Sequence, residues 1–174
     1  MQATTTFNIE DSFGEFAKAG ALAEASAFPT VQTGPYRLQI TKSEGKKFDG
    51  DPRPYAHLTV SVMNEDGAKR LSTAWVDATW VEGRDAKGDL DRGFRYWDEL
   101  TRALYPDLKA YERADKDVGT VLADAKLYPI SGFVVEKFKV AGAWVKAKTA
   151  DDRAKYKGSA EKVINTVSNF RPLK

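Results

Sequence analysis

A chain of 174 residues, 42% hydrophobic and 11% aromatic, is long enough for one domain with a sizeable core, and its net charge of +2 does not mark it as a polybasic protein. The lack of any cysteine excludes a disulfide framework, a thiolate zinc site and a cysteine nucleophile. No run of about eighteen apolar residues could span a bilayer and no basic-then-apolar leader opens the chain, so no membrane partner is expected and the cytoplasm is the expected location.

In chain order, residues 1–30 read as an N-terminal arm. A helix from Asp11, capped by Asp11 or Ser12 with Glu15 in capping-box spacing, would present Phe13, Phe16, Ala17, Leu22 and Ala23, although Gly14 and Gly20 weaken it. Residues 31–174 read as the main domain. Phe28–Pro35 is a linker, after which Tyr36, Leu38 and Ile40 alternate with Arg37, Gln39 and Thr41 as a first strand. Lys42 to Pro54 is expected to be a long exposed loop. Its Lys46, Lys47, Phe48 and Arg53 are what a single-stranded nucleic acid site needs, cations for phosphates and a ring for a base, and equally what a solvated loop holds by chance.

A second strand follows in Leu58, Val60 and Val62, alternating with His57, Thr59 and Ser61, then the turn Asn64–Gly67 and a third strand from Leu71 to Val81. Ala74, Val76, Ala78 and Trp80 form its core side. That leaves Trp75, Asp77 and Thr79 on the polar face with Arg37, Gln39, His57 and Thr59, where Trp75 either marks a contact site or lies under a flanking segment.

Glu82 to Asp91 is a glycine- and charge-rich loop. Helices are expected over Arg92–Tyr105, with Phe94, Trp97, Leu100, Thr101 and Leu104 inward, and over Asp115–Leu127, with Val118, Val121, Leu122 and Ala125 inward. After Pro129, Ser131–Val140 and Ala143–Lys148 flank the reversal Ala141-Gly142 as a hairpin. Lys137, Lys139, Trp144, Lys146 and Lys148 point outward if Phe138, Val140, Ala143, Val145 and Ala147 take the core, with a bulge near Phe133 to Val135. These lysines around a tryptophan are the clearest basic-aromatic cluster, or else an edge charged against aggregation. Residues 131–174 carry ten Lys and Arg against four Asp and Glu, an excess that draws an anion or is a solvated surface. Residues 149–160 read as a mobile loop or short helix, and the segment from Lys162 docks back on the domain.

The order of elements suits a mainly β protein with some α: a five-stranded OB-like antiparallel barrel, a helical insertion between strands 3 and 4, and an N-terminal helical appendage. Thr33-Gly34-Pro35-Tyr36-Arg37-Leu38-Gln39-Ile40, the helix after the sheet, Ile130-Ser131-Gly132-Phe133-Val134-Val135 and Ile164-Asn165-Thr166-Val167-Ser168-Asn169-Phe170-Arg171-Pro172 together resemble bacteriophage single-stranded-DNA-binding proteins of the OB-fold type. The resemblance covers roughly residues 30–172. It implies a non-enzymatic protein that coats single-stranded DNA in phage replication or recombination without sequence preference, in the host cytoplasm if phage-encoded. No cofactor is expected, and the sequence is compatible with a homo-oligomer without fixing the oligomeric state. One departure is the ending Phe170-Arg171-Pro172-Leu173-Lys174, where many such proteins carry an acidic tail for partners. The competing reading is a phage structural or assembly protein that uses the same sheet face for protein contacts. Catalysis is not expected: His57 has no neighbour in metal or triad spacing, and Asp49 and Asp51 sit among Gly50, Pro52 and Pro54 as turn residues.

Overall fold

The computed structural model describes residues 29–173, so the helix expected from Asp11 lies outside the described residues. In chain order the elements are β1 (Gly34–Phe48), β2 (Asp51–Met63), β3 (Arg70–Ala78), α1 (Arg92–Leu104), α2 (Ala110–Ala114), α3 (Val118–Leu127), β4 (Ile130–Val140), β5 (Ala143–Ala147), α4 (Ala150–Lys157) and β6 (Lys162–Pro172). The strands make one six-stranded sheet in the order β3-β2-β1-β4-β5, with β6 also paired to β4. The mainly β, antiparallel architecture expected from the sequence is present. The sheet is not closed, since β3 and β5 end the path, and the terminal segment adds a sixth strand to the five expected.

Two compact units divide the chain. The larger takes Pro35–Arg70, Ala74–Phe133 and Val167–Lys174, and the smaller takes the described residues up to Gly34 with Leu71–Thr73 and Val134–Thr166.

In the larger unit β1 and β2 pair antiparallel, with Leu38 opposite Val62 and Ile40 opposite Val60, and these four residues are buried. A bulge at Thr41 then shifts the register, so that Ser43 and Gly45 oppose the buried Leu58 and Ala56. Because strand side chains alternate with period two, this extra residue moves Lys42, Glu44 and Lys46 to the outer face with Thr59, His57 and Tyr55. The long loop expected over Lys42 to Pro54 is instead strand on both sides of a two-residue turn. Phe48 opposes Asp51 across Asp49-Gly50, and Gly50 takes φ 82°, the left-handed backbone that makes Asp-Gly a hairpin turn. Pro52 and Pro54 are accommodated where the pairing is interrupted between Lys46 and Phe48.

β3 buries Ala74, Val76 and Ala78 as expected and stops there, short of Val81. Thr79 is fully buried, not on the polar face: its N–H donates to Gly93 O at 3.1 Å and its hydroxyl accepts from Val81 N at 3.2 Å, which turns the chain out of the sheet. Asp91 caps α1 by accepting from Phe94 N at 3.0 Å, and the helix buries Trp97, Leu100, Thr101 and Ala103. α3 starts at Val118 and not at Asp115, because the Asp117 carboxylate takes the N–H of Thr120 at 3.1 Å and so marks the first turn. Tyr96 O–H donates to Val167 O at 3.0 Å and fastens α1 to β6.

Backbones crowd at Gly132, where an added Cβ would lie 2.6 Å from Leu38 Cδ1 and 3.2 Å from Ser168 O. Gly132→Ala is therefore expected to cost about 1–3 kcal/mol in urea denaturation, since backbone and a buried leucine must both move.

In the smaller unit β4 buries Val134, Glu136 and Phe138 in strict alternation, so no bulge forms near Phe133 to Val135. The apolar run looks out of phase only because a glutamate occupies a core position. Glu136 is 1% exposed. Its Oε2 accepts from Thr30 Oγ1 at 2.7 Å and its Oε1 lies 2.9 Å from Arg153 Nε, off the N–H axis, so that pair is held by charge more than by a directed bond. Asn165 does comparable work nearby. It accepts from Val31 N at 2.8 Å and Ser72 Oγ at 2.6 Å, and donates to Val31 O at 3.0 Å. Side chains thus satisfy both backbone polar groups of Val31 in a strap over residues 30–33.

Candidate nucleic-acid interface

The β4–β5 hairpin of the smaller unit turns at Ala141 (φ 53°) and Gly142 (φ 80°), two left-handed residues that match the twist of the flanking strands. Its register sets Lys137 opposite Lys146 and Lys139 opposite Trp144. Directly opposed residues share a face, so four of the five side chains expected outward fall on one face of the hairpin. The reverse face carries Phe138 opposite Val145 and Glu136 opposite Ala147. It is closed by α4, whose Tyr156 ring lies 6.0 Å from that of Phe138 and whose Arg153 reaches Glu136. On the other face Trp144 and Lys146 are exposed, while Lys137 and Lys139 are half-buried. Trp144 is 43% exposed there.

Lys148 follows β5 and its N–H donates to Asp152 Oδ2 at 3.1 Å, at the start of α4. Ala143, expected in the core, is exposed, because it sits beside the turn beyond the reach of the covering helix. Between Val134 and Thr166 the chain carries eight Lys and Arg against four Asp and Glu, and Glu136 among the acids is buried against Arg153. The outer potential of this segment is therefore positive.

The larger unit presents a second, charge-balanced face. Lys46 Nζ lies 5.0 Å from the Phe48 ring centre and 3.9 Å from Asp77 Oδ1, which is itself 2.7 Å from His57 Nδ1. Lys42 pairs with Glu44 at 2.5 Å, and that contact holds the Glu44 carboxyl below its usual range. Phe48 stands edge-on to Tyr55 at 4.8 Å. Trp75 is 44% exposed on β3, between the buried Ala74 and Val76, and Lys47 is exposed near the hairpin tip. His57 thus has a structural partner, Asp77, that sequence spacing did not reveal.

Arg53 serves a different purpose. Its Nε and Nη2 grip Asp51 at 3.0 and 2.9 Å, Nη2 also meets Asp91 at 2.7 Å and Tyr55 O–H at 2.8 Å, and Nη1 donates to Val81 O at 3.2 Å. Tyr55 O–H in turn donates to Asp51 at 2.6 Å. The hydrogen bond from Arg53, with one from Tyr55, holds Asp51 far below the carboxylate range. Burial opposes ionisation of Asp91, but the bonds from Arg53 and Phe94 N overcome it and its pKa is lowered as well. Burial, and then the bond to Asp51, push the Tyr55 phenol up to about 12. A Cβ on Gly83 would lie 2.1 Å from Arg53 Nη1, so the loop can pass this close only as glycine. Arg53 ties the hairpin tip to the cap of α1 instead of presenting a cation to solvent.

Arg37 is half-buried against the Asn64–Gly67 turn, where a Cβ on Gly67 would come within 2.6 Å of its Nε. Among the described residues no group of three or more His, Asp or Glu is placed to hold a metal ion, and no helix is long and apolar enough to cross a membrane. Comparison with protein-family models, with curated proteins and with solved structures finds no match to this chain.

Proposed function

We propose that this protein binds single-stranded DNA without sequence preference, through the outward face of the β4–β5 hairpin. The observation that carries the reading is the register that places Lys139 beside a 43% exposed Trp144, with Lys146 on the same face and Lys148 just beyond it. A polyanion laid along the face meets the cations of Lys139, Lys146 and Lys148, and the indole offers a flat surface to a base. Neither a point charge nor a ring face reads base edges, which is why the binding is sequence-independent. No catalytic step is involved.

The resemblance to phage single-stranded-DNA-binding proteins supports a place in phage replication or recombination. An open sheet in which β1 lies beside both β2 and β4 is compatible with the partly open barrel of the OB arrangement.

Binding then proceeds by release of condensed counterions, with stacking of about 1–3 kcal/mol per base. The test is fluorescence anisotropy of a labelled oligothymidine strand at two salt concentrations, with a duplex control. Trp144→Ala is expected to weaken binding about tenfold or more, and Lys139→Ala to flatten the log–log salt slope by about 0.7, the value for one phosphate contact on a single strand. Single-strand binding no tighter than duplex binding at low salt, or an unchanged affinity in Trp144→Ala, would overturn the reading in favour of a protein-contact surface.

A further inference from the structure

The larger unit contains a cavity of about 390 Å3 that the hairpin face does not involve. Its wall is aromatic. Trp80, turned out of the sheet where β3 ends, meets Trp97 of α1 with ring centres 5.6 Å apart at 58°, and Phe94 lies beside them.

Four charged residues also line it, and their partners decide its sign. Glu82 is paired with Arg84 at 2.7 Å and Asp98 with Arg102 at 2.6 Å, and neither arginine lines the cavity. Arg113 and Lys116, by contrast, face no carboxylate at ion-pair distance among the described residues. Arg113 Nη1 donates to Leu108 O at 2.9 Å, using one of five N–H groups, and Lys116 Nζ lies 4.5 Å from the Tyr105 ring centre. Both cations are positioned without being neutralised. An aromatic wall under uncompensated positive charge suits a ligand with a flat ring at one end and an anion at the other. The volume lies at the small end of ligand cavities, enough for one such unit and not for a strand.

We infer that this cavity binds a single nucleotide, its base against Trp80 and Phe94 and its phosphate between Arg113 and Lys116. The same chemistry is offered by a free deoxynucleoside monophosphate and by the 5′-phosphorylated end of a strand. The site stands apart from the hairpin proposal, and its test uses mononucleotides so that the two can fail separately.

The probes are dAMP, dTMP, thymidine and ribose 5-phosphate, titrated by calorimetry and by tryptophan fluorescence. The proteins are the parent chain, Arg113→Ala, Arg113→Lys, Lys116→Ala, and a Lys139→Ala/Trp144→Ala hairpin variant, each checked for an unchanged melting profile. The parent is expected to bind both nucleotides saturably, and thymidine and ribose 5-phosphate each tenfold or more weakly. Lys116→Ala and Arg113→Ala should each lower nucleotide affinity severalfold and leave thymidine unchanged, and Arg113→Lys should restore part of the loss. If Arg113→Ala unfolds α2, Lys116→Ala, which lies outside that helix, decides alone. The hairpin variant should bind mononucleotides like the parent. If it also prefers a 5′-phosphorylated trinucleotide to its 5′-hydroxyl form, a strand end is the source; if it binds dAMP and neither trinucleotide, the free nucleotide is. No saturable binding of dAMP or dTMP up to about 10 mM would overturn the inference, as would loss of mononucleotide binding in the hairpin variant.

Discussion

Arg153→Ala is expected to destabilise the protein by about 2–3 kcal/mol, far more than a surface arginine should. Removing one partner of a buried ion pair costs about 3–5 kcal/mol because the other charge is stranded. The lower figure applies because Arg153 is 35% exposed and water partly replaces it, while Glu136 is only 1% exposed. Denaturant unfolding of Arg153→Ala, Glu136→Gln and Glu136→Leu/Arg153→Met checks the argument. Glu136→Gln should cost less than Arg153→Ala, since an amide can keep the contact from Thr30 and needs no counter-charge. The double variant should recover most of the loss, because replacing both charges by apolar groups strands neither. Equal losses in all three would mean that packing of α4, and not the charge pair, is what matters.

The second large effect belongs to Arg53. Arg53→Ala is expected to cost about 2–4 kcal/mol at neutral pH: charge-assisted bonds are worth about 1.5–3 kcal/mol each, reduced here because Asp51 and Asp91 are 25% and 22% exposed. The pH dependence separates this from a packing defect. Both carboxyls have folded pKa values below the ordinary 3.8, so their contribution is present above pH 4 and is lost as pH falls through the folded values. The stability gap between parent and Arg53→Ala should therefore be full at pH 7 and narrow below pH 4. At the alkaline end the raised Tyr55 phenol gives the opposite sign, with stability lost as pH climbs from 10 through about 12. A gap that stays constant from pH 7 to 2 would show that the carboxylates are not what Arg53 secures.

These two residues also show where a linear reading succeeds and fails. Alternation gave Leu38, Ile40, Leu58, Val60 and Val62 as core, and the glycine at 142 gave the hairpin whose register gathers Lys139, Trp144 and Lys146. Both signals are local, a period of two or a turn of two residues. Arg53 looked like a phosphate contact because Asp91, thirty-eight positions on, carries no mark of its partner. The phase of β4 seemed broken near Phe133 to Val135 because Glu136 takes a core position and its compensating Arg153 belongs to a later helix. The bulge at Thr41 has no sequence signature at all, yet it decides on which side Lys42, Glu44 and Lys46 emerge. Pairing across distance is tertiary information, and the places where polar residues sit in apolar positions are where it was needed.

The strap has a consequence for the timing of folding. Val31 is joined to Asn165 by reciprocal bonds of 2.8 and 3.0 Å across 134 positions, and the same asparagine takes the hydroxyl of Ser72. During synthesis none of these partners can be satisfied until Asn165 has left the ribosome, and closing so long a loop is entropically slow. The larger unit owes its β1–β2 pairing to a two-residue turn and can begin to form as soon as Met63 emerges. The strap over Val31 therefore closes later than the locally joined strands, once Asn165 has emerged to receive it.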